Sequence, residues 1–228
     1  MKRAPRNSVP PRDPKELVRV GWNALSYRYR PRGSHGDVFG HALSDYRSWL
    51  APILAAVPPG SEVLDLGSGT GEPAARLLSA RFRVTGVDIS DRQVRRARRN
   101  VPRATFLRAD ITRAAFPTGR FYAVVALYSL IHVPRTEQHA LFRRMSDWLV
   151  PGGWLLVIVG ERPCQGVESG WLGSTATMYW SHFGAETYRR WLRSGGFRIV
   201  RDRFVPEGDG GHRLLLARKR LRRRNPPV

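Results

Sequence analysis

The sequence predicts an α/β fold: a seven-stranded, mostly parallel sheet with an antiparallel last strand, helices on both faces and a helical segment before the first strand. Two observations carry this prediction. From Glu62 to Val159, short apolar runs alternate with helical patterns, as in a parallel sheet covered on both sides. Near the end, two further strand patterns flank Gly208, Gly210 and Gly211, which is typical of an antiparallel hairpin.

The individual elements follow from hydrophobic spacing and from turn residues. Pro52 is expected to bend or divide the second leading helix, because proline has no backbone N–H to donate. The run Val150-Pro-Gly-Gly153 predicts a turn before the fifth strand. The predicted strands cover residues 62–66, 83–87, 105–108, 122–127, 154–159, 197–205 and 212–217, and the predicted helices cover 15–29, 41–57, 73–80, 91–100, 136–149 and 185–194.

Length and composition predict one globular domain with attached segments, since the chain has 228 residues, 42% hydrophobic and 25% charged. We assign residues 1–14 to a flexible basic leader, 15–60 to the leading helical segment, 61–218 to the α/β domain and 219–228 to a flexible basic tail. No apolar run approaches the ~20 residues of a membrane span, and no secretion signal is evident. A cytoplasmic protein without a membrane partner is therefore expected.

The charge balance is strongly basic, with 39 Lys and Arg against 18 Asp and Glu, a net charge of +21. Such a field attracts RNA, DNA or acidic lipid without specificity. Much of it lies in a solvated tail from Arg218 to Arg224 and on one helix, where the arginines point in several directions rather than forming a single stripe. Nucleic acid therefore remains an alternative partner. The helix arginines are Arg92, Arg95, Arg96, Arg98 and Arg99.

The segment from Val63 to Gly71 predicts a ligand site, because a strand is followed directly by a glycine-rich turn and a helix. This arrangement holds the adenosine part of a ligand at the carboxyl edge of a sheet. The third glycine of the dinucleotide fingerprint is replaced by Glu72, whose carboxylate repels a pyrophosphate. Asp65 can pair instead with an ammonium, so a cationic nucleoside that carries an amino acid fits better than NAD.

Two further acids follow the second and third strands. Asp88 is placed to accept both hydroxyls of a ribose, and Asp110 to accept the amino group of adenine. Taken alone, each acid fits a helix cap or a surface carboxylate better than a ligand contact. With Asp65 and the glycine loop, however, they mark successive strand ends along one edge, which favours ligand binding.

These residues resemble the class I S-adenosylmethionine-dependent methyltransferase family, which is Rossmann-like. The glycine loop matches the family's first motif, and Val150-Pro-Gly-Gly153 matches its familiar turn before the fifth strand. Asp88 matches its ribose-binding acid and Asp110 its adenine-binding acid. The leading helices resemble the lid that covers the cofactor in this family. The runs 178–182 and 186–191 resemble small actinobacterial-type members. The resemblance implies S-adenosyl-L-methionine as cofactor, held by Tyr29, Asp65, Gly67, Ser68, Gly69, Thr70, Gly71, Asp88, Ile89, Ala109, Asp110, Ile111, Leu127 and Tyr128.

Candidate catalytic residues follow the fourth and fifth strands. His132 lies in the segment expected beside the methyl group, where it is either a general base or a turn residue bonded to backbone. Tyr179 and His182 are candidates for the wall of the acceptor site, His182 as the alternative base, although aromatics there can equally fill the core. The family's Asn or Asp followed by Pro-Pro and an aromatic is absent, which disfavours adenine, cytosine or glutamine nitrogen acceptors. No metal is expected.

The resulting hypothesis is in-line methyl transfer to a small hydroxylated or aromatic metabolite, by a monomer or homodimer. Two alternatives stay open. The basic charge would suit an RNA or rRNA methyltransferase, and the same motifs would serve a non-catalytic protein that binds S-adenosylmethionine.

Overall fold

The computed structural model describes residues 13–34, 37–38 and 40–221. Within them the chain forms α-helices, β-strands and two short turns of 3₁₀ helix at Leu130–His132 and Trp171–Gly173. The helices are α1 (Pro14–Tyr29), α2 (Leu43–Ala56), α3 (Ala74–Ser79), α4 (Asp91–Asn100), α5 (Arg135–Trp148) and α6 (Ala185–Ser194). The strands are β1 (Glu62–Leu66), β2 (Arg83–Asp88), β3 (Thr105–Arg108), β4 (Phe121–Ala126), β5 (Leu149–Gly160), β6 (Cys164–Ser169), β7 (Thr177–His182), β8 (Phe197–Glu207) and β9 (Gly210–Lys219).

The main sheet has seven strands among the described residues, in the order β3-β2-β1-β4-β5-β9-β8. The pairs among β1 to β5 are parallel, whereas β9 runs antiparallel to both β5 and β8. The predicted architecture, mostly parallel with a reversed last strand, is confirmed. The chain order reverses between β1 and β4, and ligands bind at the carboxyl edge beside such a switch point.

Alternate residues of the central strands enter two separate cores, because successive side chains of a strand point to opposite faces. Val63 packs with α1, α2, α3 and α4 on one face of the sheet. Its neighbour Leu64 packs with α5 and α6 on the other. Both side chains are fully buried, which explains why these strands are apolar without alternation.

Pro52 was expected to bend or divide the second leading helix, and it does not divide it, since α2 runs unbroken from Leu43 to Ala56. A proline in a helix leaves the carbonyl four residues earlier without its usual partner. Here that carbonyl belongs to Ser48, and it accepts a hydrogen bond from Arg201 Nη1 at 3.2 Å. A side chain from β8 thus replaces the missing N–H, a long-range contact that the local sequence does not reveal.

The predicted boundaries differ from the structure at both ends of the domain. Asp13 caps α1, accepting from the N–H groups of Lys15 at 3.1 Å and Glu16 at 3.0 Å, so the helix begins at Pro14, inside the range assigned to the leader. Lys219, assigned to the tail, ends β9 opposite Phe197. The rest of the predicted leader and of the basic tail lies outside the described residues, apart from residues 220 and 221.

The predicted turn at 150–153 is wrong in detail, because these residues belong to β5. The pairing between β4 and β5 is instead irregular. Phe121 pairs with Leu149, but Ala123, two residues later, pairs with Trp154, five residues later. Gly152 has a positive φ of 78° at this irregularity, which absorbs the extra residues without ending the strand.

A two-stranded sheet that the sequence analysis did not predict is formed by β6 and β7, which pair antiparallel from Cys164 opposite His182 to Ser169 opposite Thr177. Strand β7 packs against α1 and against the turn at Leu130–His132. The hairpin therefore connects the leading helix to the segment after β4. In the described part of the chain no helix has the length and apolarity that crossing a bilayer requires.

Candidate functional site

A cleft of about 1000 Å³, including the part open to solvent, lies at the carboxyl edge of the sheet. Its floor comes from the ends of β1, β2 and β4, and α1 contributes Lys15, Val18 and Trp22 to the opposite wall. This volume suits a nucleoside-sized ligand. Of the residues predicted to hold the cofactor, those that line the cleft are Tyr29, Asp65, Gly67, Ser68, Gly69, Thr70, Asp88, Ile89, Asp110, Ile111, Leu127 and Tyr128.

The glycine loop is fixed by backbone contacts on both sides. Gly67 and Ser68 donate their N–H groups to Val87 O, at 2.7 and 3.0 Å. Gly67 has a φ of +73°, and a Cβ there would lie 2.1 Å from Ser129 Cβ. Only glycine therefore fits where the segments that follow β1 and β4 approach each other. Gly71 is also left-handed, at 77°, but it packs toward Val101 and lies outside the lining of the cleft.

Asp65 places a carboxylate in the cleft with little solvent around it. Its side chain is 2% exposed, and burial, together with the nearby Asp88 carboxylate, raises the pKa of Asp65 to about 7. Among the described residues no group donates a hydrogen bond to Asp65 Oδ2, and the hydroxyls of Ser68 and Thr70 likewise have no partner. Unsatisfied buried polar atoms are rare in folded proteins and point to an absent ligand.

Asp88 stabilises the loop as well as facing the cleft. Its Oδ2 accepts from Gly69 N at 2.9 Å, and its Oδ1 accepts from Ser90 N at 2.8 Å. Burial raises the pKa of Asp88 to about 6, although these two N–H groups oppose the shift. Each carboxylate oxygen keeps a second lone pair, so the side chain can still accept from ribose hydroxyls.

Asp110 is held from above by α1. Lys15 Nζ lies 2.8 Å from Asp110 Oδ2, 2.7 Å from Thr112 Oγ1 and 2.5 Å from Glu137 Oε2. Burial works against ionisation of Asp110, but the bonds from Lys15 and Thr112 bring its pKa below the usual value. The predicted adenine acid is therefore ionised and bonded to α1. The neighbouring Ala109, predicted at the cofactor, lies outside the lining of the cleft and donates its N–H to Asp88 O at 3.0 Å.

His132 lines the cleft as predicted, and its ring is fixed. Its Nδ1 lies 2.7 Å from Tyr179 O, so Nδ1 carries the proton and Nε2 carries the lone pair. Burial lowers the pKa of His132 to about 4, against the influence of that carbonyl. The hydrogen bond to backbone that a turn residue would make is thus present, and the same ring also lines the cleft.

Tyr179 and His182 are not brought to the cleft. Tyr179 is 1% exposed and packs in the core beneath α1, contributing its carbonyl rather than its hydroxyl to the site. His182 is 8% exposed with its ring 6.0 Å from that of His212, and burial lowers its pKa to about 4. The unpredicted β6–β7 hairpin explains both positions, because it turns these side chains into the interior.

Several residues of the cleft escaped the sequence analysis. Lys15 and Thr112 were not singled out, and neither was Arg30, which is 5% exposed in the wall next to Tyr29. Gln93 also lines the cleft and accepts from Ser26 Oγ of α1 at 2.6 Å. The position of Arg30, directly after the last turn of the leading helix, could have indicated that it lies in the cleft. The others depend on contacts between distant segments.

This sheet order, with a glycine loop and three strand-end acids around one cleft, is the arrangement of class I S-adenosylmethionine-dependent methyltransferase domains. Residues 63–153 match the family model described as a methyltransferase domain. Over these residues the chain is similar to methyltransferase domains, whose cofactor is S-adenosylmethionine. The actinobacterial-type subgroup stays a prediction.

Two curated relatives match part of the chain. Sterol 24-C-methyltransferase ERG6B of Gibberella zeae is 30% identical over 145 residues, which cover 60% of this chain and 37% of that protein. 27-O-demethylrifamycin SV methyltransferase of Amycolatopsis mediterranei is 36% identical over 120 residues, which cover 50% of this chain and 42% of that protein. The chain thus spans less than half the length of these relatives.

Solved structures match more of the chain at lower identity. Magnesium protoporphyrin IX methyltransferase from Synechocystis PCC 6803, with bound SAH, has a TM-score of 0.71 at 24% identity and covers 91% of this chain and 100% of its own. The [4+2]-cyclase SpnF has a TM-score of 0.69 at 20% identity, covering 96% and 100%. At these identities the likeness concerns the fold alone.

Proposed function

We propose that this protein transfers a methyl group from S-adenosylmethionine to a small hydroxylated or aromatic molecule. The observation that carries the proposal is the buried carboxyl of Asp65, which lacks a partner among the described residues and lies beside the glycine loop. An ammonium is the complementary group for this carboxylate, and a cofactor with an amino-acid end supplies one. When bound, S-adenosylmethionine supplies a methyl group that its sulfonium already activates.

The cofactor fits the residues of the cleft in a defined direction. Asp65 and the loop from Gly67 to Gly69 would hold the amino-acid end, Asp88 the ribose and Asp110 the adenine. Arg30 is a buried cation in the same wall, suited to a carboxylate. The orphaned hydroxyl of Ser68 is a further donor at this end.

The acceptor side is largely aromatic. The Trp22 ring lies 5.6 Å from the His132 ring and 4.9 Å from the Tyr29 ring, centroid to centroid, and all three residues line the cleft. Such a wall suits a flat or apolar acceptor and excludes water from it. Three of the similar proteins described above are named as methyltransferases of small molecules: a sterol, a rifamycin and a porphyrin. Their names favour the same class of acceptor.

We further propose His132 as the general base for a hydroxyl acceptor. Because Nδ1 donates to a backbone carbonyl, the neutral ring has a lone pair on Nε2 that can take the acceptor's proton. Its low pKa keeps the ring neutral at pH 7 but makes it a weak base. Alignment of the acceptor by the aromatic wall therefore carries more of the rate than proton removal.

A transfer experiment tests the proposal. Purified protein is given methyl-labelled S-adenosylmethionine and a fractionated bacterial extract, with the Asp65→Asn variant as the matched control. Label in the small-molecule fraction, lost with the variant, is expected. Label in RNA would replace the proposal with the polynucleotide alternative that the charge of +21 suggests. Cofactor binding without label in any fraction would overturn methyl transfer, and the [4+2]-cyclase of this fold makes that outcome worth testing.

A further inference from the structure

A second cavity, of about 900 Å³ including its part open to solvent, lies beside the cofactor cleft. It is enclosed by the end of α1 and the segment after it, by the glycine loop, and by α3 and α4. Its side chains include Arg30, Arg32, Arg76, Arg96 and Arg99, and we call it the arginine pocket.

The charge of the arginine pocket is not balanced by its own wall. Among the described residues that line it, Glu72 supplies the one carboxylate, and this group pairs with Arg76. Five arginines and one carboxylate thus line the pocket. Burial lowers the pKa of Arg96, and the charges of Arg30 and Arg32 lower it further, against the effect of Tyr27.

Part of the pocket is rigid. Arg96 Nη2 donates to Arg30 O at 2.6 Å and Arg96 Nη1 to Ser26 Oγ at 3.0 Å, which fixes its guanidinium at the end of α1. The same guanidinium lies 4.1 Å from the centre of the Tyr27 ring. A preorganised cation loses little entropy when it binds an anion.

The hydroxyl of Thr70 gives a second, independent sign of a ligand. Thr70 is 2% exposed and lines both the arginine pocket and the cofactor cleft. In the described structure its Oγ1 has no hydrogen-bond partner, whereas its carbonyl accepts from Asn100 Nδ2 at 3.0 Å. A buried hydroxyl donor next to several arginines matches the needs of an oxyanion.

We propose that the arginine pocket binds a small oxyanion, a phosphate or carboxylate group, at the same time as the cofactor. Arg32 and Arg99, both exposed at its rim, capture the anion, and Arg96 and Thr70 hold it. The concave shape favours a compact anion over a long polyanion, which would follow a stripe along the surface. The proposal does not depend on methyl transfer, because anion binding needs no turnover.

The test is calorimetric titration of the full-length protein with inorganic pyrophosphate and, separately, with citrate, at about 0.15 M ionic strength, where the Debye length is ~8 Å. We expect saturable binding of at least one of the two at one site, with or without saturating S-adenosylhomocysteine. R99Q and R32Q should each weaken it by about tenfold or more, since each removes a charge-assisted bond. Pyrophosphate binding alone would assign a phosphate ligand, and citrate binding alone a carboxylate.

R95Q is the matched control, because Arg95 is an exposed arginine of α4 that does not line the arginine pocket. It should leave the affinity within about twofold. An equal loss of anion affinity in R95Q and R99Q would overturn the proposal in favour of a diffuse basic surface. Tight RNA binding without saturable binding of pyrophosphate or citrate would overturn it in the same way. Competition between the anion and S-adenosylhomocysteine would overturn it too, by placing the anion in the cofactor cleft.

Discussion

Lys15 Nζ lies 2.8 Å from Asp110 Oδ2, and this ion pair joins the first turn of α1 to the loop after β3. It is one of several bonds between the lid and the domain. Arg19 Nη1 reaches Asp91 Oδ2 at 3.0 Å, and Ser90 Oγ donates to Asn23 Oδ1 at 2.7 Å. Helix α1 is therefore joined to the α/β domain by polar contacts near the ends of β2 and β3, in addition to the apolar packing of Val18 and Leu25.

Replacing Lys15 should loosen the lid. Lys15→Gln removes the charge that links Asp110 to Glu137, so we expect faster dissociation of S-adenosylhomocysteine and a loss of about 1 kcal/mol in unfolding free energy. Dissociation rates measured by stopped flow at low and high salt check this. The wild-type rate should rise with salt more than that of the variant. Arg95→Gln, which removes one charge elsewhere, should leave both rates unchanged, and an unchanged rate in Lys15→Gln would contradict a closing role.

Cofactor binding should depend on pH through Asp65. Its folded-state pKa of about 7 lies above the ordinary value, as does that of Asp88 at about 6. In the protein without ligand, the protonated carboxyls of Asp65 and Asp88 therefore add to the free energy of unfolding. This contribution is complete below about pH 4 and is lost as the pH rises through 6 to 7. An ammonium favours the ionised carboxylate, so the affinity for S-adenosylhomocysteine should rise over the same range with release of a proton.

Calorimetry at pH 6.5 in two buffers with different ionisation heats measures that proton release. Asp65→Asn should bind more weakly and release fewer protons than the wild type. Equal proton release by the two proteins would assign the titration to another group.

Asp88→Ala should weaken binding of S-adenosylhomocysteine by about tenfold to a hundredfold, since a charge-assisted bond contributes roughly 1.5–3 kcal/mol. The loss has two sources here, because Asp88 also fixes Gly69 N. Asp147→Ala, an exposed acid on α5, is the control and should leave the affinity unchanged. Unaltered affinity in Asp88→Ala would remove the ribose assignment.

Gly67→Ala should abolish cofactor binding and destabilise the fold, because the new Cβ meets Ser129 Cβ at 2.1 Å. Gly119→Ala is a matched control: Gly119 has a similar φ of +67°, but nothing lies within 4 Å of its added Cβ. It should cost only the backbone strain of a left-handed residue, about 1 kcal/mol. Thermal unfolding and ligand titration of both variants separate the close approach from the strain. Equal effects of the two substitutions would contradict a specific role for the close approach of Gly67 to Ser129.

His132→Ala should leave the affinity for S-adenosylhomocysteine intact but lower the rate of methyl transfer by about 10²-fold if the ring is a general base. In the wild type, the limb of the pH–rate profile that belongs to His132 should fall near pH 4, where burial places its pKa, and not near 6.5. His139→Ala, on the exposed side of α5, is the control. A variant that only unfolds more easily, with its rate unchanged, would assign His132 to structure alone.

The sequence was most informative where structure depends on neighbours along the chain. The glycine loop, Asp88 and Asp110 were predictable because a strand, its turn and the next helix are continuous in sequence, and parallel strands bring their ends to one edge. The reversed last strand followed from two apolar runs around Gly208, Gly210 and Gly211 for the same reason.

The sequence was least informative where distant segments meet. Tyr179 was expected at the acceptor because the β6–β7 hairpin was not recognised; its strands are short and contain Gly166 and Glu168, which weaken the apolar pattern. Lys15 reaches Asp110 across 95 positions, and Arg201 reaches Ser48 across 153. Periodicity within one segment carries no information about such partners.

The position of β8 at one end of the sheet has a consequence for self-association. An open edge strand is a template onto which another strand can add, and proteins block such edges with charge, proline or bulges. Strand β8 carries all three: exposed Arg198 and Arg203, the exposed Pro206, and a register shift between Ile199 and Arg201. Some of the unusual arginine content thus keeps two copies of the sheet from merging into one, which is protection against aggregation rather than recognition of a ligand.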